Sequence, residues 1–243
     1  MDIATLKTKG LLRAVSAAPA SPAAFPFGLG VAGLHEVAEA SYGDRAAVTG
    51  FVLAATRQAK QGAWLWISQT KLTGDLGHVS QAALRQMQAV MPQRLNAETR
   101  TLGEALWAVE EAVVSGAVSL VIAEVDAADF TATRRLTLAS GRYGVPVILI
   151  MAQTREGATA AATRWRISPR PSAPNRYDPQ APGNPRWRAV LERCRTAPNA
   201  TGSSFDLEWN DETLSLSVVS GLAAGPAAPR PAQRETPARR RTG

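Results

Sequence analysis

The sequence predicts an α/β protein with a three-layer core, in which a mainly parallel sheet lies between helices and carries antiparallel strands at its C-terminal edge. Residues 63–68, 118–123 and 145–151 are continuous apolar runs, which are typical of parallel strands covered on both faces. Helical patterns alternate with these runs, as in strand–helix–strand units. Residues 203–219 alternate between apolar and polar around a turn at 210–212, which predicts an antiparallel hairpin.

The N-terminal half of this core is predicted to begin with a strand that ends before a turn at Gly43. A helix is expected over residues 45–60, a buried strand over 63–68, a loop through Gly74 and Gly77, and a short helix over 80–87. The motif Gly28-Leu-Gly-Val-Ala-Gly33 matches the dinucleotide fingerprint, but it precedes the first strand instead of following it. We therefore interpret it as a glycine-rich entry turn.

The best-defined helix is predicted over residues 101–115. Thr101 and Glu104 have the spacing of a capping box, and Gly116 follows the last apolar position. A strand at 118–123, a helix at 130–140 ended by Gly144, and a strand at 145–151 come next. Residues 163–168 alternate, 169–185 form a proline-rich loop, and 187–195 fit either a strand or a helical turn.

Three segments are predicted along the chain. Residues 1–25 contain a short helix around 6–15 and a linker, residues 26–221 form the α/β domain, and residues 222–243 form a disordered basic tail. The composition, 45% hydrophobic and 19% charged, indicates a soluble globular protein. No apolar run reaches the roughly 18 residues of a membrane span, and no secretory leader is apparent, so we expect a cytoplasmic protein.

A net charge of +7 suggests an anionic partner, either nucleic acid or an acidic protein surface. Much of the excess lies in the tail, where Arg239, Arg240 and Arg241 are candidates for a weak DNA or acidic-partner contact. One cysteine, Cys194, and two distant histidines, His35 and His78, give no basis for a metal site. We expect no cofactor.

From residue 26 to about 219 the order of elements resembles the RecA-type ATPase core. The segment GLGVAGLHEVAEASYGDRAAVTGFVLAA resembles its glycine turn, first strand, phosphate loop and helix, and TLGEALWAVEEAVVSGAVSLVIAEVD resembles the helix and Walker B strand of that core. The resemblance places Gly43 on the last glycine of the loop, Asp44 on the phosphate-binding lysine and Arg45 on the magnesium-holding hydroxyl. Thr70 falls near the catalytic glutamate, and Glu124 falls on the Walker B acid.

These replacements define a degenerate nucleotide site. Aspartate in place of the lysine turns attraction into a repulsion of about 1 to 4 kcal/mol for each nearby phosphate charge, and Thr70 cannot act as a general base. Glu124 is either a retained acid or a solvated residue at a strand end. The DNA-contacting loops of the RecA-type core also look shortened, since only residues 153–162 separate Ala152 from Thr163. The chain is therefore not expected to be an enzyme.

Within this superfamily the chain looks most like the ImuA family, RecA-like and SOS-inducible accessory proteins of bacterial mutagenesis. The segments that carry the resemblance are GLHEVAEA, LGEALWAVEEAVVSG, RRLTLAS and TRWRIS. The resemblance implies a non-catalytic scaffold for translesion DNA synthesis. Its implied partners are an ImuB-like Y-family polymerase homologue that binds the sliding clamp, an error-prone C-family DNA polymerase, and RecA. A SulA-like cell-division inhibitor and a divergent nucleotide-binding ATPase are the alternatives.

Several basic and aromatic residues are candidates for contacts outside the nucleotide site. Arg134, Arg135, Arg164 and Arg166 are candidates for a partner or nucleic-acid contact, although solvated arginines would have the same pattern. Trp64, Trp66 and Trp107 are predicted to pack in the core, and Trp165 is predicted to point inward from its strand.

Overall fold

The computed structural model of the chain describes residues 25–57, 62–87, 93–175, 177–178 and 180–219. The predicted N-terminal helix around 6–15 and the basic tail with Arg239, Arg240 and Arg241 lie outside the described residues. The strands of the described chain are β1 (Leu34–Glu39), β2 (Trp64–Gln69), β3 (Arg94–Thr99), β4 (Leu120–Val125), β5 (Val147–Met151), β6 (Thr163–Arg170), β7 (Arg186–Cys194), β8 (Ser204–Asn210) and β9 (Ser215–Val218). The α-helices are α1 (Arg45–Ala55), α2 (Thr70–Leu76), α3 (Gln81–Met87), α4 (Leu102–Ser115) and α5 (Phe130–Tyr143).

All nine strands belong to one sheet with the order β3-β2-β4-β5-β1-β6-β7-β8-β9. The strands from β3 to β6 pair in parallel, and the pairs from β6 to β9 are antiparallel. The predicted fold class, a mainly parallel sheet with antiparallel strands at the C-terminal edge, is therefore confirmed. Because parallel neighbours run the same way, the ends of β1, β2 and β4 lie at one edge of the sheet.

Two apolar cores cover the two faces of the sheet. On one face, Phe51 and Val52 of α1 pack with Leu84 of α3 and with Trp165 of β6. The opposite face is covered by α4 and α5, whose buried residues include Val109 and Leu136. The alternation within each strand divides its side chains between these cores, so the sheet is the middle of three layers.

Local sequence signals fix the ends of the two long helices. The Thr101 hydroxyl accepts a hydrogen bond from the Glu104 N–H, and the Glu104 carboxylate accepts from the backbone at Thr101, which is the predicted capping box. Gly116 ends α4 with φ 63°, a left-handed conformation that glycine adopts at little cost. Gly144 ends α5 in the same way. These predictions are confirmed.

Three sequence-based predictions are wrong in part, and one strand was not predicted. The loop expected through Gly74 contains α2, and the helix expected over 45–60 ends at Ala55. The edge strand β3 was not anticipated because its sequence, RLNAET, is polar and mostly exposed. Trp107, predicted to lie in the core, is 64% exposed on α4. Its neighbours in the helix pattern, Ala105 and Val109, face the sheet instead.

The predictions for the other three tryptophans are confirmed. Trp64 and Trp66 are 3% and 4% exposed, and Trp165 is completely buried. The ring of Trp165 contacts those of Phe25 and Phe205, with centroids 5.8 and 6.1 Å away. The ordered core therefore includes Phe25, in the entry turn before β1.

None of the helices in the described ranges combines the length and the apolar character needed to cross a membrane.

Candidate functional site

The candidate site lies at the carboxyl ends of β1 and β4, where open parallel sheets bind ligands. The turn after β1 reaches Gly43, whose φ of 95° requires glycine, and α1 begins two residues later. A phosphate loop would place its lysine and hydroxyl at this turn. In this chain the residues after Gly43 are Asp44 and Arg45.

Asp44 binds its own turn. Its Oδ2 accepts a hydrogen bond of 3.1 Å from the N–H of Ser41, and the Asp44 N–H donates to the Ser41 carbonyl at 3.1 Å. These reciprocal bonds close the turn and leave a carboxylate beside the start of α1. A negative charge there opposes the binding of a phosphate.

Arg45 extends into the interior and is 6% exposed. Its Nη2 lies 3.8 Å from Oε1 of Glu39, at the end of β1. Its Nε and Nη1 are buried and have no hydrogen-bond partner among the described residues. The guanidinium therefore has a charge partner but incomplete hydrogen bonding, which is costly for a buried cation.

Glu124 lies on β4 and is 6% exposed. Its Oε1 accepts a hydrogen bond of 2.6 Å from Nε1–H of Trp66 on β2. Burial raises the pKa of Glu124, and the bond from Trp66 and the charge of Arg45 act against that rise. The pKa of Glu39 is also raised, because burial has a larger effect than the opposing charge of Arg45. Of the two interpretations left open for Glu124, the solvated one is excluded.

Thr70 stands apart from this group. It is exposed at the start of α2, and its hydroxyl donates a 2.7 Å hydrogen bond to the carbonyl of Thr99 on β3. This bond links the ends of two neighbouring strands. The structure thus brings Gly43, Arg45 and Glu124 together around one cleft and gives Thr70 a structural contact.

Two clefts share Gly43 and Arg45. One has a volume of about 350 Å³ and extends to His78 and Glu124, and the other has a volume of about 420 Å³ and extends to Lys71. The carboxylates that line them are Glu39, Asp75, Glu124 and Asp126. Lys71 lies 3.7 Å from Asp126, so its charge is partly neutralised. Glu39, Asp75 and Asp126 all line the larger cleft, which makes that cleft a poor site for a polyphosphate.

The sequence reasoning missed a second buried cluster of charges, on the α5 face of the sheet. Glu36 of β1 is fully buried and accepts hydrogen bonds from Nε of Arg164 at 2.8 Å and from Nη1 of Arg155 at 3.3 Å. The Thr159 hydroxyl also donates to Glu36. The signal was present, since a glutamate inside the apolar strand LHEVAE needs cationic partners once both faces of that strand are covered.

The four candidate arginines of the folded domain have different environments. Arg164 is paired with Glu36, and Arg166 forms an ion pair with Glu192. Arg135 forms an ion pair with Glu110 between α5 and α4. Arg134 is exposed on α5 and forms no ion pair within the described chain. Arg134 is thus the member of this set whose charge is left available.

Among the described residues, no group of three or more histidine, cysteine or acidic side chains lies close enough together to hold a metal ion. His35 is buried and bonded to Thr163 and to the Val31 carbonyl, and Cys194 is buried. Both side chains are thus enclosed by the protein interior.

The fold and the site together define a class of protein: a mainly parallel α/β core with a glycine turn between β1 and α1 and a buried arginine at the start of that helix. The chain is 34% identical over 196 residues to Protein ImuA of Caulobacter vibrioides, in strains NA1000 / CB15N and ATCC 19089 / CIP 103742 / CB 15. The match covers 73% of this chain and 76% of each relative. The chain belongs to the ImuA family.

No known protein-family profile matches the chain. Among solved structures, the crystal structure of the RadB recombinase is similar, with a TM-score of 0.49 and 13% identity over 78% of this chain and 92% of that one.

Proposed function

We propose that the chain is a non-catalytic scaffold of SOS-induced translesion DNA synthesis. In this role it would bridge an ImuB-like clamp-binding Y-family polymerase homologue, an error-prone C-family polymerase and RecA. Membership of the ImuA family supports the role in damage-induced mutagenesis, and the replaced phosphate loop supports the absence of hydrolysis.

The observation that carries the non-catalytic part is the position of Arg45. The resemblance to the RecA-type core aligns Arg45 with the residue that holds magnesium there, and in this chain the guanidinium is buried next to Glu39. The Glu124 carboxylate accepts the hydrogen bond of Trp66 and interacts with the charge of Arg45, so a metal ion at this place would compete with both. Asp44 and Arg45 follow Gly43, so the turn carries neither the lysine nor the hydroxyl with which a phosphate loop supports phosphoryl transfer.

The test of this part is calorimetry of the purified chain with ATP and Mg²⁺. We expect no heat of binding at protein concentrations that would detect a dissociation constant of about 1 mM. Binding that disappears in the Glu124→Ala variant would overturn the proposal and establish an ATPase-like site.

A divergent nucleotide-binding protein is a second candidate because one observation favours it. Nε and Nη1 of Arg45 are buried beside a cleft without hydrogen-bond partners in the described chain, and an oxyanion would satisfy them. The Arg45→Lys variant separates the two candidates. It keeps the charge but loses the fork that binds an oxyanion in bidentate fashion, so ATP affinity should fall if Arg45 contacts phosphate.

The scaffold part is tested by reconstitution. The chain is co-expressed with a tagged ImuB-like homologue from its own genome, and the complex is isolated at moderate salt. Stoichiometric recovery with the wild-type chain supports the scaffold role. Failure to recover a complex, under conditions in which both proteins are folded and monodisperse, counts against it.

A further inference from the structure

A groove crosses the α5 face of the sheet, between α5 and the end of β7. It has a volume of about 280 Å³, and its lining is almost wholly apolar. The lining residues used below are Phe130, Arg134, Leu138, Ala160, Arg193 and Arg195. We call this surface the α5–β7 groove.

The α5 side of the groove is a stripe that the core does not use. Phe130, Arg134 and Leu138 recur every four residues and so lie along one line of the helix. The buried stripe of α5 is a different one, formed by Thr133, Leu136 and Ser140. Phe130 is 48% exposed and Leu138 is 65% exposed. Two large apolar side chains are thus left in water beside a concave surface, which is a common feature of docking sites.

The β7 side of the groove depends on a β-bulge. The pairing of β6 with β7 shifts between Arg164, which pairs with Arg193, and Trp165, which pairs with Leu191. Glu192 is therefore the extra residue of β7. Leu191 and Cys194 both belong to the core on the α1 side, which a regular alternation would not allow. The bulge therefore directs Arg193 to the α5 face, where it lines the groove.

The groove carries positive charge that the described chain does not neutralise. Arg134 and Arg193 have no ion-pair partner there, and Arg195 donates only a hydrogen bond of 3.4 Å to the Ala160 carbonyl. Three neighbouring arginines are paired, namely Arg135 with Glu110, Arg164 with Glu36 and Arg166 with Glu192, whereas Arg142 lies over the ring of Tyr143. Arg134, Arg193 and Arg195 thus place unneutralised positive charge on the rim of the apolar groove.

We propose that the α5–β7 groove binds a segment of a protein partner that has apolar anchors flanked by aspartate or glutamate. This inference rests on the proposed scaffold role, and it names the surface and the chemistry of one partner. Phe130 and Leu138 are eight residues apart, about 12 Å along the helix axis, so the anchors of the segment should span about two helical turns.

Two other occupants fit the groove less well than an acidic protein segment. The chain's own residues 222–243 carry five arginines and one glutamate, so they are repelled by the groove. Single-stranded nucleic acid needs successive aromatic platforms along a basic track. The groove offers one aromatic ring, Phe130, and an apolar lining that would not solvate a phosphate backbone.

The test is fluorescence anisotropy with the purified full-length chain and a labelled synthetic helical peptide that carries leucine on one face and glutamate on its flanks. A second peptide with lysine in place of every glutamate controls for charge, and a labelled oligothymidine tests nucleic acid. We expect binding of the acidic peptide that weakens as salt is raised. Equal or tighter binding of the lysine peptide or the oligothymidine at this groove would overturn the proposal.

Two variants locate the site. Leu138→Glu and Arg193→Glu should each weaken the acidic peptide about tenfold or more, since each removes an anchor and adds repulsion. The matched controls are Leu95→Glu on β3 and Arg85→Glu on α3, both exposed and remote from the groove. All four changes fall on exposed side chains, so circular dichroism should show an intact fold. A loss of the same size in the controls would overturn the assignment.

The groove and the scaffold role can fail separately. Reconstitution with the ImuB-like homologue that succeeds while the acidic peptide does not bind would overturn the groove alone. Specific peptide binding, lost in Leu138→Glu, together with failed reconstitution would overturn the scaffold role alone.

Discussion

Arg45 limits what the turn between β1 and α1 can bind. It follows a turn closed by Asp44 and Ser41, and its guanidinium is held inside by Glu39 and by the field of Glu124. A small hydroxyl at this position would leave room for magnesium and phosphate. A long buried cation instead neutralises the acids that line the cleft.

Replacing Arg45 with alanine should destabilise the fold. Glu39 and Glu124 would stay buried without their cation, and removing one partner of a buried ion pair costs about 3 to 5 kcal/mol. The loss should be largest near pH 7 and should shrink as both carboxylates are protonated at acid pH. Urea unfolding at pH 7 and pH 5 measures it.

The control for this change is Lys71→Ala at the edge of the neighbouring cleft. Lys71 pairs with Asp126, but its side chain is 74% exposed, so water screens the pair. We expect a change within about 0.5 kcal/mol. An equal loss in the two variants would show that burial of Arg45 has no special effect.

His35 should make stability fall as the pH is lowered. Burial lowers its pKa from 6.5 to about 4. Below about pH 6.5 the unfolded chain binds a proton that the folded chain refuses, so the free energy of unfolding decreases until about pH 4. The shift of about 2.5 units corresponds to about 3 kcal/mol across this range.

The measurement compares urea unfolding of the wild-type chain with that of His35→Gln at several values between pH 7.5 and pH 4.5. Glutamine cannot titrate, so the variant should be less stable at pH 7.5 but should show a flatter decline. Identical slopes would contradict the assignment. The raised pKa values of Glu39 and Glu124 act in the opposite direction in both proteins and cancel in the difference.

At the scale of the elements, α4 shows how far local sequence fixes a helix. Its capping box and its glycine stop are short-range signals, and they place both ends within one residue of the prediction. The face of the helix that packs is less certain from the pattern. Trp107 is apolar, yet it lies between positions that meet the sheet and is left exposed.

Thr101→Ala should destabilise the protein by about 1 kcal/mol, because it removes the acceptor of the Glu104 N–H and half of the capping box. Thermal or urea unfolding measures the loss. Thr131→Ala on α5 is a matched control, since Thr131 is exposed and lies within a helix. It should change stability by less than about 0.5 kcal/mol.

The elements that the sequence did not reveal are those with weak local signals. β3 is polar because one of its sides and one of its edges face water, and its strand conformation comes from pairing with β2. α2 contains Gly74 and only seven residues, so its own helix propensity is low. In both cases the neighbouring elements supply the stabilisation.

For the whole molecule, the segments outside the α/β core are expected to serve partner binding. Truncation to residues 25–219 keeps Phe25, whose ring packs between Phe51, Trp165 and Phe205. We expect this fragment to unfold cooperatively with nearly the stability of the full chain. We also expect it to bind at least one of the proposed partners more weakly than the full chain does. Calorimetric unfolding and reconstitution with the ImuB-like homologue measure the two properties. Full retention of every partner contact by the fragment would contradict the expectation.

The matched control for the truncation begins at residue 28 and so lacks Phe25 and Phe27. Both rings contact Trp165 and Phe205 in the core. This shorter fragment should lose stability by several kcal/mol, since burying an aromatic side chain contributes about 1.5 to 3 kcal/mol. A fragment that starts at 28 and is as stable as one that starts at 25 would show that the entry turn is not part of the core.

The sequence by itself determined the class of fold, and it showed that Asp44 and Arg45 follow the glycine of the turn after β1. Continuous apolar strands, capped helices and the residues Asp44 and Arg45 are local features, and the physics of each acts over a few neighbouring residues. Only the tertiary structure decided that Arg45 is buried with Glu39, that Glu36 gathers Arg155 and Arg164, and that Arg134 meets Arg193 across a groove. These pairs are up to 128 residues apart, and burial and charge partners at such separations depend on the strand order and on one β-bulge, which no local pattern encodes.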